Sequence, residues 1–399
     1  MESIWKKTAE LPEFHTLTKD IRTKVLIIGG GMAGILCAYF LQRAGVDYCL
    51  LEADTICSGV TGNTTAKITS QHGLIYDSLI RRAGREVADG YLRVNELALK
   101  RYKDLGWLID CDMKEVDSYV FDRMDAEKLK REAVAVMQLG FPAEYVEQVD
   151  LPFETAGAVR FPGQAQFHPL KFVAAIAKNL NIYEHSPVRE MTEYFALTDH
   201  GSVAAEKVIV ATHFPFINRR GSYFVKLYQE RSYVLSLKNT KIPDSIYLEA
   251  KKGGLSMRGY GDTLLLGGIN HRTGKEPDGF EKLREQAKLY FPEAEITGQW
   301  AAQDCMTLDG MPYIGNYSSS TPDLFVAAGF GKWGMTGAMI SAIVLSDLVQ
   351  GRENEFAAIF NPSRSILKPQ LAINMWEAMK GILKPRIKNR CTHMGCVLH

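Results

Sequence analysis

One short stretch constrains this chain more than any other. Lys24-Val-Leu-Ile-Ile28 runs into Gly29-Gly-Gly31-Met-Ala-Gly34, and residues 32–44 then show helical spacing and end at Gly45, a natural helix C-cap. A short apolar run closed by glycines reads as a strand buried in a parallel sheet. Asp47 to Glu52 supplies a second strand, completing the strand–helix–strand unit that a right-handed crossover requires. Inside that unit, Gly29-x-Gly31-x-x-Gly34 is a dinucleotide-binding fingerprint. Gly29 allows the tight turn, Gly31 lets the backbone approach a pyrophosphate, and Gly34 permits close packing of helix on strand. The pyrophosphate would cap the helix N-terminus, where unpaired N–H groups point outward. Glu52 stands eighteen residues after Gly34, at the end of the second strand. An acid there favours an unphosphorylated adenosine ribose, as in FAD or NAD.

These two cofactors share their AMP half, so the fingerprint alone leaves the choice open. Two features lean towards flavin. A long Gly/Thr/Ser loop, Ser58 to Gly73, follows the motif closely, and a second Gly-rich segment near the far end is placed to close over a cofactor. Farther along, residues 76–107 and 123–140 read as helices, another helix begins at His168-Pro169, and Val203 to Thr212 contains a buried strand. Residues 223–270 alternate apolar with polar positions in RSYVLSL, DSIYLEA and DTLLLGG, which predicts an antiparallel sheet. The 399 residues suffice for two domains. With 47 basic and 46 acidic residues there is no basic excess for nucleic acid, and no apolar run of eighteen predicts a membrane span. Seven scattered cysteines and no apolar signal core predict free thiols and a cytoplasmic protein.

With these pieces in view, residues 22–355 resemble the D-amino-acid-oxidase-like family of FAD-dependent oxidoreductases. The resemblance rests on Gly29 to Gly34, Glu52, the loop Ser58 to Lys67, Ala211-Thr-His213, Asp309-Gly-Met-Pro-Tyr-Ile-Gly315 and Gly329-Phe-Gly-Lys-Trp-Gly334. More narrowly, the chain looks like a bacterial subgroup that carries a C-terminal Rieske [2Fe-2S] domain. The resemblance implies an α/β FAD-binding domain of glutathione-reductase type, from residues 22–105, 152–215 and 305–355. It also implies a second, α+β substrate domain built on an antiparallel sheet, from residues 106–151 and 216–304, then a linker over 356–390. Cofactor contacts would come from Gly29, Gly31, Gly34, Glu52, Thr61, Asn63, Thr64, Thr65, Ala66, Lys67, Val188, Ala211, Thr212, Gly329, Gly331, Lys332, Gly334, Met335 and Thr336. Lys67 and Lys332 are cations able to stabilise reduced flavin or an oxygen-derived anion.

The implied activity is oxidation of a small amine or amino acid by hydride transfer to flavin. A polyamine or hydroxy-acid donor, or a flavin-binding redox module without turnover, are the alternatives. The family's amino-acid oxidases clamp the substrate carboxylate with arginine, because a bidentate fork suits it. In Trp300-Ala-Ala-Gln-Asp-Cys, Asp304 stands where that arginine is expected, and an anion there would repel a carboxylate. Arg258, Arg231 and Lys226 are possible replacements, each more readily read as a solvated strand residue or salt-bridge partner. His72 directly follows the flavin loop and could take the amine proton or hydrogen-bond the cofactor, or serve only structure. His213 reads as a turn residue and His168 as a helix start.

The chain closes with Cys391-Thr-His393-Met-Gly-Cys396-Val-Leu-His399. By resemblance to the first half of a Rieske motif, Cys391 and His393 would be cluster ligands and Cys396 part of a disulfide. The second half is absent, so a [2Fe-2S] cluster is expected in the full-length protein and not on this chain, whose residues 391–399 read as the start of a truncated Rieske domain. A zinc site from Cys391, His393, Cys396 and His399 fits by count, but not the usual spacing of ligand pairs. In this reading the Rieske domain, in cis, accepts the flavin's electrons.

Overall fold

A short helix, α1 (Ile4–Thr8), precedes the predicted crossover. β1 (Ile21–Ile28) leads into α2 (Met32–Arg43), and β2 (Tyr48–Leu51) returns parallel to β1. This is a computed structural model, and it describes residues 2–217, 220–275, 278–377 and 379–380. Val25 to Ile28 are all buried, as an unbroken apolar run in a parallel strand implies. Met32 to Ala38 are buried without interruption, because α2 is packed between the sheet and the helix Gly334–Leu348.

The first sheet runs Leu324–Ala328, Ser202–Val210, β1, β2, Ile182–Tyr183, all parallel, with Tyr313–Asn316 antiparallel at one edge. Strands lie on both sides of β1, so the crevice for a ligand opens beyond the carboxyl ends of the strands. That edge carries Gly29, Glu52 and Ala211. The second sheet runs Glu295–Thr307, Leu227–Lys238, Thr263–Arg272, Ser256–Tyr260, Ile246–Glu249, Lys114–Phe121, Ala158–Gln166 and Lys67–Ile68. Its pairings are antiparallel except Ile246–Glu249 with Lys114–Phe121. Leu235, Leu237, Leu264 and Leu266 pack with Leu283 and Ala287 of the helix Gly279–Tyr290. The opposite face roofs the crevice. A two-domain α/β architecture with a second, mainly antiparallel sheet is therefore what the chain forms.

Three segments differ from the sequence reading. The helix predicted over 76–107 is two helices, Tyr76–Ala83 and Arg85–Gly106, divided at Gly84. Ala158–Gln166 and Lys67–Ile68, placed by sequence with the nucleotide-binding segments, pair with each other and close the edge of the second sheet. The stretch read as a linker is packed where it is described. Arg364 forks onto Asp309 at 2.7 and 2.8 Å, and residues 369–377 are helical, with Asn374 buried and bonded to Arg272 and the Val225 carbonyl. That helix turns polar groups inward and Ile373, Met375 and Trp376 outward, inverting the usual amphipathic order. Residues 391–399 lie outside the described residues.

Candidate active site

A cavity of about 810 Å³ runs from the ends of β1 and β2 to the underside of the second sheet. At one end Gly29, Gly31 and Glu52 line it. Thr61, Asn63, Thr64, Thr65 and Lys67 form one wall, with Val188, Ala211 and Thr212 facing them, and Gly331, Lys332, Gly334 and Met335 close the far side. The fingerprint geometry follows its physical reasons. Gly29 has φ +109°, and a side chain there would meet the Ala211 carbonyl oxygen at 2.5 Å. Gly34 lies behind the cavity, where an added Cβ would come within 1.9 Å of the Gly29 carbonyl oxygen. Glu52 accepts from the Gly30 and Asp54 N–H groups, which holds its carboxylate against the first turn. Thr61 accepts from Met32 N at 3.0 Å, capping α2 with a loop hydroxyl.

Four other expected contacts stand back from the cavity. Ala66 is fully buried, and Gly329 packs closely on Thr307. Thr336 and His72 bond to each other at 3.1 Å. His72 Nε2 also meets the Thr69 carbonyl at 2.8 Å, and its Nδ1 meets the Tyr91 hydroxyl at 2.7 Å. Burial pushes its pKa down to about 3, so the ring is neutral. With a carbonyl on Nε2, that nitrogen carries the hydrogen and Nδ1 accepts from Tyr91. No ring nitrogen is left for a substrate, which corrects the expectation of a proton acceptor. His72 instead lines a second cavity, about 290 Å³, on the other side of Trp333.

Arg258 is also corrected. It shares a strand face with Ser256, which does reach the cavity, but the loop 58–67 passes over it. Its guanidinium donates to the carbonyls of Thr65, Ala66 and Phe167 and stacks over Trp5, and the residue is 1% exposed. Lys226 donates to the Pro362 carbonyl and Arg231 is exposed. Neither lines the cavity. His168 accepts from Lys171 N at the start of the helix Pro169–Ala177, as expected. His213 adopts φ +65°, as a turn residue can, yet also lines the cavity.

At the sheet end the charges come from residues that sequence reading left unpaired or missed. Tyr228, Glu230 and Ser232 alternate on one strand face, and Asp304 stands directly across from Glu230 on the neighbouring strand. Two carboxylates in that position repel. Lys332 reaches over both, 3.2 Å from Asp304 and 3.8 Å from Glu230. Ser232 donates to Asp304 and Asn270 to Glu230. Asp304 is therefore a compensated anion. Lys67, opposite, has only Ser256 Oγ at 2.8 Å and no carboxylate partner among the described residues. Burial, then the neighbouring Arg258 and Lys332 charges, push its pKa down to about 7.

The donor set fits a dinucleotide. Two helices, α2 and Gly334–Leu348, open their N-termini on the one cavity, which suits anionic groups. Two lining side chains keep a buried polar atom without a partner among the described residues, Gln71 Oε1 and His213 Nε2, each open to a ligand group. The family model described as FAD dependent oxidoreductase (DAO) matches residues 24–348. The chain belongs to this family. As an FAD-dependent oxidoreductase it binds FAD, which the cavity residues above could hold.

Among relatives, a Bacillus subtilis (strain 168) protein named as a Rieske 2Fe-2S iron-sulfur protein, YhfW, is 34% identical over 93% of this chain and 77% of its own length. A glycine oxidase of the same organism is 25% identical over 83% of this chain and 94% of its own. The crystal structure of Geobacillus kaustophilus glycine oxidase has the same fold, with a TM-score of 0.74 at 22% identity, covering 86% of this chain and 99% of that one. Among the described residues, no group of His, Cys, Asp and Glu is arranged to hold a metal ion. No helix among them is long and apolar enough to cross a membrane. The five described cysteines, Cys37, Cys49, Cys57, Cys111 and Cys305, are buried free thiols with pKa values raised by burial.

Proposed function

We propose that this FAD-dependent oxidoreductase oxidises an amino acid, with the substrate carboxylate held by Lys67. The carrying observation is a half-buried ammonium that lines the cavity, beside the second sheet, with no carboxylate partner among the described residues. FAD, when bound, supplies the hydride acceptor. Lys67 supplies charge and orientation, and Ser256 fixes its Nζ. A carboxylate arriving at Lys67 raises the lysine pKa again and keeps the ammonium charged. Lys332 and Lys252 together offset Asp304 and Glu230, so the sheet end does not repel an anion. The same compensation weakens the polyamine reading, which needs Asp304 unpaired. Relatives named glycine oxidase and D-amino acid dehydrogenase support an amino-acid donor.

For the electron acceptor we propose a Rieske [2Fe-2S] domain following in the complete protein. Cys391-x-His393-x-x-Cys396 and the name of the YhfW relative support this, as does the outward apolar face of the helix over 369–377. Anaerobic mixing of the FAD-loaded protein with amino acids and their decarboxylated amines tests the first reading. The expected result is bleaching of flavin absorbance by an amino acid and not by its amine. Bleaching by amines alone would overturn it. In the full-length protein, appearance of a reduced-cluster EPR signal after substrate addition tests the acceptor.

A further inference from the structure

The carbonyls of the cofactor loop are held from outside the cavity, one after another. Ser3 Oγ donates to the Gly62 carbonyl, Trp300 Nε1 to Asn63 at 3.0 Å and Trp5 Nε1 to Thr64 at 2.6 Å. Arg258 donates to Thr65 at 2.9 Å and to Ala66 at 2.6 Å. These donors come from the N-terminal segment and from two strands of the second sheet, and none of them lines the cavity. Asn63, Thr64 and Thr65 do line it. No peptide bond among the described residues is cis, and in a trans peptide the C=O and the following N–H point in opposite directions. Holding the Asn63 and Thr64 carbonyls outward therefore turns the Thr64 and Thr65 N–H groups the other way. Outside the single turn Thr61–Asn63, neither N–H has a backbone acceptor among the described residues.

We infer that Trp5, together with Ser3, Trp300 and Arg258, is a positioning residue that presents the Thr64 and Thr65 N–H groups to acceptor atoms of the flavin cofactor. The N-terminal segment is then part of the cofactor site without touching the cofactor. This rests on the cavity being the FAD site. Such a clasp has a clear physical use. A loop rich in glycine and threonine has many backbone states, and fixing its carbonyls selects the one whose donors converge before the cofactor arrives.

The test is FAD titration of the apoprotein, read by flavin fluorescence, with thermal unfolding measured alongside. Trp5→Phe removes the N–H donor with the five-membered ring of the indole and leaves an aromatic ring in its place. It is expected to weaken FAD binding about tenfold, the worth of one hydrogen bond that organises the site. Tyr145→Phe is the control, because it loses a hydroxyl donated to the Ala156 carbonyl at 2.7 Å, away from the cavity. It is expected to lower the melting temperature similarly while binding FAD as the parent does. If Trp5→Phe fails to fold, Trp300→Phe, which releases the Asn63 carbonyl, carries the same expectation of weaker binding. FAD affinity within twofold of the parent in a folded clasp variant overturns the proposal. Failure of the unmodified protein to bind FAD would instead remove the reading beneath it.

Discussion

His72 lies flat against Trp333, ring centroids 4.5 Å apart and planes 13° from parallel, with both imidazole nitrogens bonded. Trp333 lines both the large cavity and the smaller one, and His72 lines the smaller one. Replacing His72 by Ala leaves the Tyr91 hydroxyl and the Thr69 carbonyl without their partner and opens a hole. Urea unfolding is expected to show a loss of about 2–4 kcal/mol. The pH dependence has a definite sign. The folded pKa is about 3 against an ordinary 6.5, so the neutral ring's contribution is complete above 6.5 and is lost as pH falls towards 3. The stability gap between parent and His72→Ala should therefore shrink between pH 7 and pH 5. A gap that widens would mean that the histidine is charged in the fold.

Lys67 makes a different pH prediction, on binding. Its ammonium is present below about pH 7 and lost above it in the free site. Affinity for a simple carboxylate such as acetate, read from the flavin spectrum, should fall as pH rises past 7. Lys67→Met should raise KM for the amino-acid substrate about 10- to 100-fold, the range for a hydrogen bond to a charged group, and leave a decarboxylated amine unaffected. Equal losses for both would place Lys67 on the cofactor instead.

What could be read in advance follows from locality. The β1–α2–β2 unit was legible because its strand, turn and helix are specified by neighbours within thirty residues. The second sheet was legible as alternation, without its order. Arg258 shows where pattern stops: alternation assigns it a face, but not the loop that covers it. Asp304 was read as an uncompensated anion because its counter-ion, Lys332, arrives from another segment. Trp5 sits in a five-residue helix, too short to announce itself by periodicity, and its partner Thr64 is 59 positions away. No local signal marks such a contact. Glu230 opposite Asp304 depends on strand register, which alternation alone leaves open.

The Asp304–Lys332 pair can be tested by its sign. Asp304→Asn removes one of two facing carboxylates and leaves Lys332 with Glu230 at 3.8 Å. Repulsion across the strands falls and net positive charge in the cavity rises by one. Acetate should then bind a few-fold more tightly, since one charge at partly screened range is worth about 1 kcal/mol. Weaker acetate binding would show that Asp304 organises the anion site by holding Lys332 in place.

Gly34 separates steric need from backbone freedom. A Cβ at Gly34 would lie 1.9 Å from the Gly29 carbonyl oxygen, so α2 must move off the turn that approaches the cofactor. Gly45, at the other end of α2, has φ +68° and nothing within 4 Å of an added Cβ. Gly45→Ala should cost about 1 kcal/mol through its left-handed backbone alone, and the protein should keep its flavin. Gly34→Ala should lose FAD, seen as absent visible absorbance in purified protein, whatever stability remains. The two variants share a helix and a type of substitution, so a difference in bound flavin isolates the close approach at Gly34. Retention of FAD by Gly34→Ala would mean that the turn at Gly29 has room to give, and that the fingerprint is not the pyrophosphate cradle.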